Sequence, residues 1–219
     1  MKGLFDPEGK FMYYGGKLWD MMWLNVLVIL CSLPIITMGP ALTAMHYVLL
    51  KIYRDEDSGI TKMFFKSFFM NFKQGVAIQL MGMALAYLLY ISLSMFWTWE
   101  AEGTKIVFWA VVAICVIVFC TWQWSLILLS RYANTVRNTI KSALAACMVH
   151  PLRSLLMGAF FLVPGFVLLF TEKIVIFVAA LGFTGPGMIN TLWYNQIFKK
   201  LETAAVESSV EELTLEEEE

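Results

Sequence analysis

The chain has 219 residues, of which 59% are hydrophobic and only 15% charged. An average soluble domain carries about 25% charged and 45–50% apolar residues, so this composition excludes a water-soluble globule and calls for lipid as a solvent. The formal net charge of −1 hides an asymmetry: all sixteen Lys and Arg lie in residues 1–200, eight acidic residues lie in 202–219, and a body of +7 carries a tail of −8.

Taken in chain order, the first segment holds Lys2, Lys10 and Lys17, then Trp19 and Asp20. It has no short apolar region with a small-residue cleavage site, so the first span is expected to act as its own insertion signal. Asp, Glu, Lys and Arg are absent from 21–50, 75–99, 106–130, 154–171 and 174–198. Crossing the hydrocarbon core takes roughly 20 apolar residues. In lipid, every backbone polar group must be bonded within its own element, so such runs are expected to be helices. The strict alternation of a membrane β-strand is absent.

The run 21–50 is too long for one straight span and short for two, and Pro34, Gly39 and Pro40 interrupt it. Proline removes a helix hydrogen bond and clashes with the preceding turn. One reading is a single kinked span over 25–50, giving five spans. The other is a tight helical hairpin, 11–33 and 38–54, giving six. A weak echo aligns Gly39-Pro40 on Gly185-Pro186, each following an apolar stretch and preceding a helix that ends in basic residues. Broken helices of this kind build midplane sites in many transporters, and they are also common simple interruptions of membrane helices.

Positive charge in short connections marks the cytoplasmic side. The connection 51–74 holds Lys51, Arg54, Lys62, Lys66 and Lys73, and 131–152 begins with Arg131, Arg137 and Lys141. Both are therefore expected inside, with the acidic connections near 100–105 and 171–173 outside and the C-terminus inside. Within the first connection Phe64, Phe65, Phe68, Phe69 and Phe72 recur at helical spacing, while Lys62, Lys66 and Lys73 fall largely on another side. An amphipathic helix of this kind lies in the membrane interface, packs under the bundle, or docks a partner. A shorter helix is expected around Thr139 to Met148, ended by Pro151. The acidic tail is expected to be a solvated, disordered end.

Chemistry-bearing side chains are sparse. The runs contain no carboxylate for a proton- or sodium-coupled carrier or for an acid/base pair. Asn25, Gln79, Gln123, Asn190 and Asn195 are the other strongly polar side chains; Asn25, Gln79 and Asn190 read as interhelical hydrogen-bond donors and acceptors, with a polar lining for a neutral solute as the alternative. His46 lies near the end of its run and reads as an interfacial or hydrogen-bonded histidine rather than a base. Cys31, Cys115, Cys120 and Cys147 show no metal or redox spacing, Gly15-Gly16 lacks the Lys-Ser/Thr of a phosphate-binding loop, and nothing points to nucleic acid. No catalytic residue, cofactor or metal is expected.

Several strings carry a family resemblance: Leu4 to Phe11, Lys17-Leu18-Trp19-Asp20, Leu24-Asn25, Cys31 to Ala41, Lys51 to Glu56, and Asn71 to Gln74. Together they resemble the YesL family (domain of unknown function 624) of Gram-positive bacterial membrane proteins, up to about Lys200. The Leu-Pro-x-x-Thr-x-Gly-Pro-Ala string is fairly specific, and the tail is outside the pattern. Family members are often encoded beside carbohydrate uptake systems of the ATP-binding-cassette type. The resemblance therefore implies an accessory role in sugar uptake, by association, and assigns no functional residue.

The expectation is an all-α polytopic transmembrane bundle in the cell membrane, with one domain over 1–200 and a tail over 201–219. Its spans are 25–50, 75–98, 106–130, 153–171 and 174–198, with amphipathic helices in the connections 51–74 and 131–152. The expected role is a non-enzymatic accessory component in contact with the lipid bilayer and with permease or ATPase subunits of a carbohydrate transporter. The alternative is a stand-alone facilitator for a small neutral solute. The candidate functional motif is Asn25, Pro34, Thr37, Gly39 and Pro40, and the candidate partner or lipid surface is Lys62, Phe64, Phe65, Lys66 and Lys73.

Overall fold

A computed structural model of the chain describes residues 10–56, 59–97, 104–132, 134–170 and 181–199. The string from Leu4 to Gly9, the acidic residues Glu100 and Glu102, the turn 171–173 and the tail lie outside the described residues. Among those described, every regular element is a helix.

Helix α1 (Lys10–Ser32) ends where Pro34 disfavours helical backbone at the residue before it. Pro34 itself is extended (φ −74°, ψ 115°), and one 3-10 turn (Ile35–Thr37) leads into α2 (Met38–Tyr53). The two helices run antiparallel, because Lys17 near the start of α1 is ion-paired at 2.6 Å to Asp55, just beyond the end of α2. Tyr13 donates to the same carboxylate. The kinked single helix over 25–50 is thus corrected. The chain reverses at 33–37, and the residues trace the hairpin alternative. Gly39 and Pro40 sit in the first turn of α2, where the backbone N–H groups have no intrahelical partner to lose.

Helix α3 (Ile60–Met70) follows Gly59, whose φ of +89° suits glycine at this reversal. It runs back against α2 and α1, burying Met63, Phe64, Ser67 and Phe68, and Trp23 Nε1 donates to Thr61 Oγ1 at 2.9 Å. Helices α4 (Phe72–Trp97) and α5 (Thr104–Arg131) form a long antiparallel pair. A methyl on Gly82 would lie 2.8 Å from the ring of Trp122, so the glycine sets how closely the two helices approach. Helix α6 (Val136–Val149) returns along α5 on a stripe of small residues, Thr139, Ala143 and Cys147, all buried. At His150–Pro151 the axis bends by 106° into α7 (Pro151–Phe170). Helix α8 spans 184–199.

Two buried clusters hold the bundle together. Leu24, Leu42, Met45, Leu49, Phe64, Ile78 and Leu126 join α1 to α5. Trp124, Ile127, Met157, Tyr194 and Phe198, with Leu50, join α2 and α5 to α7 and α8. The far halves of α4 and α5 stand clear of both, exposing Tyr87, Leu88, Tyr90, Ile106 and Trp109. Apolar area of that extent is stable in lipid rather than water. Ile35–Tyr53, Phe72–Met95 and Lys105–Arg131 are each long and apolar enough to cross a membrane, and the bent pair α6 and α7 would make a fourth crossing if it is one span. The expected amphipathic helices are present as α3 and α6. Both run back along spanning candidates, α3 burying Ile60, Met63, Phe64, Ser67 and Phe68, and α6 burying the small-residue stripe through Ala143.

Candidate functional site

The motif residues fall into three separate ties between helices. In the first, the Thr37 hydroxyl meets the carbonyl of Cys31 (2.6 Å), left open where α1 stops, and that of Pro34 (2.8 Å), which also accepts the Thr37 N–H. In the second, Gly39 and Gly75 bring α2 against α4 backbone to backbone. A methyl on Gly75 would lie 2.8 Å from Pro40 N, and one on Gly39 would run into the Gly75 carbonyl oxygen. In the third, Asn25 is fully buried, and its Oδ1 accepts from the backbone N–H of Phe183 (2.9 Å) and Thr184 (3.2 Å). It caps α8 from a helix 158 positions away in sequence. Pro34, Thr37, Gly39 and Pro40 therefore share one region, and Asn25 acts elsewhere.

The other polar side chains of the interior also join helices. Tyr194 OH lies 3.0 Å from Thr191 Oγ1 and donates to the His46 carbonyl at 3.3 Å. Its ring meets the His46 imidazole edge-on, with centroids 5.9 Å apart. Arg54 donates to Asn195 Oδ1 at 3.2 Å. Gln123 and Asn190 both reach the Met157 carbonyl, at 3.5 and 3.4 Å, and Trp124 Nε1 donates to Ser154 Oγ at 2.8 Å. Helices α2, α5, α7 and α8 are thus cross-linked by neutral groups, with the Arg54 guanidinium at the end of α2 as the exception. Ser32 Oγ, His46 Nδ1, Gln79 Oε1, Thr184 Oγ1 and Asn190 Oδ1 are buried with no partner among the described residues. The Gly-Pro echo resolves into two helix starts. Both prolines lie in a first turn, and the helices that follow, α2 and α8, pack on each other where Gly187 meets Met45 and Leu49.

On α3, Lys62 and Lys66 are exposed and Phe65 is half-buried, and Lys73 at the start of α4 is exposed as well. Phe64 is not part of that surface: it is 0% exposed, at the centre of the first cluster. The phenylalanines form two rows, Phe64–Phe68 and Phe65–Phe69, each stacked. The row in register with Ile60 and Ser67 turns inward. Phe69 and Met70, 69% and 70% exposed, are the apolar side chains that accompany the lysines. Sequence reading missed Met70, and the burial of Ser67 is the signal that separates the rows.

At the other end of the hairpin, Asp55 is held below the ordinary aspartate range by hydrogen bonds from Lys17 and then Tyr13. Glu56 is held down by Lys51. A lowered carboxylate pKa contributes stability above the unfolded value and loses it as pH falls through the folded one. The α1 end is therefore expected to loosen as pH drops below about 4. Hydrogen exchange of residues 10–20 measured at pH 7 and pH 3.5 checks this. Asp55→Asn is expected to show the loosened behaviour already at pH 7.

Among the described residues, no group of three or more His, Cys, Asp and Glu side chains lies together. The four cysteines are unbridged.

The family model described as "Protein of unknown function, DUF624" matches residues 21–93. No curated protein and no solved structure matches the chain. Over residues 21–93, which hold the reversal at Pro34, the Gly39–Gly75 contact and the α3 surface, the chain is similar to the DUF624 family, the family also called YesL.

Proposed function

We propose that this membrane protein is a non-enzymatic accessory subunit, multi-pass with its C-terminus in the cytoplasm, that docks on permease or ATPase subunits of a carbohydrate transporter of the ATP-binding-cassette type. The observation that carries the docking role is the exposed edge made by Lys62, Lys66, Phe69, Met70 and Lys73. It combines three cations, none in an ion pair with a described residue, with two large apolar side chains. That pairing suits an acidic partner surface with an apolar centre. The interior supports the same reading, because Asn25, Gln123, Ser154, Asn190 and Asn195 are engaged in helix-to-helix bonds. The sugar-uptake context comes from the YesL resemblance. Deleting the gene is expected to lower uptake of the carbohydrate handled by that transporter at least several-fold, read with labelled sugar. Unchanged uptake would count against the assignment.

A second reading, a stand-alone facilitator for a small neutral solute, is favoured by the unpartnered buried atoms of His46, Gln79, Thr184 and Asn190. It requires solute flux in reconstituted liposomes above that of empty vesicles. The accessory reading expects none.

A further inference from the structure

We propose that the cavity between the start of α4 and the end of α5 holds the phosphate of an anionic phospholipid, whose acyl chain follows the apolar groove between α4, α5 and α6. The cavity measures about 500 Å³ and is lined by Asn71, Gln74, Ser130, Arg131, Asn134 and Thr135 among others, with no carboxylate in its wall. Its one charged group is a guanidinium, whose planar fork matches phosphate oxygens. The guanidinium lies 4.7 Å over the Phe198 ring and 5.8 Å over the Tyr132 ring, which fix its plane. Asn134 turns its Oδ1 to the Thr135 N–H (2.9 Å), so its amide nitrogen points the other way as a donor. Gln74 adds a second amide. Asn71 takes no donor role in the cavity, because its Nδ2 is turned back to Ser67. Lys73 and Arg137, both exposed, flank the cavity in sequence and raise the local potential for anions.

Depth supports a lipid source for the phosphate. Of the helices able to cross a membrane, Phe72–Met95 begins at this cavity and Lys105–Arg131 ends at it. The cavity therefore sits where apolar helix gives way to water, the level of lipid headgroups. One helical turn further along α4 and α5 an apolar groove of about 270 Å³ opens, lined by Ile78, Met81, Leu85, Ile117, Ile140 and Leu144 among others. A polar cavity at headgroup depth with an apolar groove beside it has the two-part form of a phospholipid site. Basic pockets between membrane helices on the cytoplasmic side recognise anionic headgroups in this way.

The test uses the intact protein in mild detergent, stripped of lipid and titrated with phosphatidylglycerol, phosphatidylcholine or inorganic phosphate, followed by native mass spectrometry and thermal unfolding. Phosphatidylglycerol is expected to bind at least tenfold more tightly than phosphatidylcholine and to raise Tm, and phosphate at the same concentration to leave Tm unchanged. Arg131→Gln and Gln74→Glu are each expected to weaken the phosphatidylglycerol adduct about tenfold. Gln74→Glu keeps the side-chain shape and leaves the Arg131–Phe198 packing in place, so it decides the matter if Arg131→Gln fails to fold. Equal affinity for the two lipids, or undiminished binding by Gln74→Glu, would overturn the site. Protection by inorganic phosphate equal to that by the lipid would overturn the lipid assignment.

Discussion

Gly39→Ala is expected to be the most damaging single methyl that can be added to this protein. The added carbon would meet the Gly75 carbonyl oxygen and the Gln79 Cβ at 3.0 Å. The first obstacle is backbone, which cannot swing aside as a side chain would. Either α2 and α4 separate or one of them shifts along its axis. Overpacking a tight contact costs typically 1–3 kcal/mol, occasionally more, and here the contact joins α2, which contributes to both buried clusters, to α4, which contributes to the first. A loss of about 3 kcal/mol is expected, read as a fall in the thermal midpoint of the detergent-solubilised protein. In a membrane the hydrophobic effect does little to hold helices together, so close packing at small residues carries more of the association. Gly75→Ala should behave alike, since its methyl would meet Pro40 N at 2.8 Å. Gly15→Ala, with nothing within 4 Å, is the matched control and is expected to be neutral.

Asn25→Ala is expected to detach the start of α8. The substitution leaves the part-buried amide of Phe183 and the buried amide of Thr184 without the Asn25 acceptor. A lost N-cap costs about 1 kcal/mol and up to about 2, and an orphaned buried donor about 1–3. A total of about 2–3 kcal/mol follows, with the damage local to one helix start. Hydrogen exchange should rise first at 183–187 and only later in α2. Asn25→Asp retains the acceptor oxygen and is expected to keep α8 capped better than alanine does. If Asn25→Ala leaves exchange at 183–187 unchanged, the cap contributes nothing to stability.

The all-helical class and most of the helix ends were legible in the sequence because their causes are local. Pro34 stops α1 through its effect on Leu33, and Pro151 bends the chain after α6. What decided between one kinked span and a hairpin was not local. The apolar run 21–50 is continuous, and the pieces that fix the reversal are Lys17 with Asp55 and Gly39 with Gly75, pairs separated by 38 and 36 positions. Asn25 was legible as a buried hydrogen-bonding residue, but its partner lies at the far end of the chain. The α3 surface failed at one position for a related reason. Two phenylalanine rows one residue apart have equal hydropathy, and only packing against α1 and α2 selects Phe64 for the core. Placement of α3 and α6 along the bundle is set by tertiary contacts through Ser67 and Ala143, which select packing against the bundle from the readings the amphipathic pattern left open.

The most direct test of the accessory role is co-purification from native membranes in mild detergent, comparing the tagged wild-type chain with Lys62→Glu/Lys66→Glu/Lys73→Glu and identifying bound proteins by mass spectrometry. These three side chains are exposed, so the variant is expected to fold normally. The account predicts permease or ATPase subunits in near-stoichiometric amount with the wild type and their loss, by about tenfold or more, in the charge-reversed chain. A wild-type preparation free of partners, or an equal yield from the variant, would contradict it.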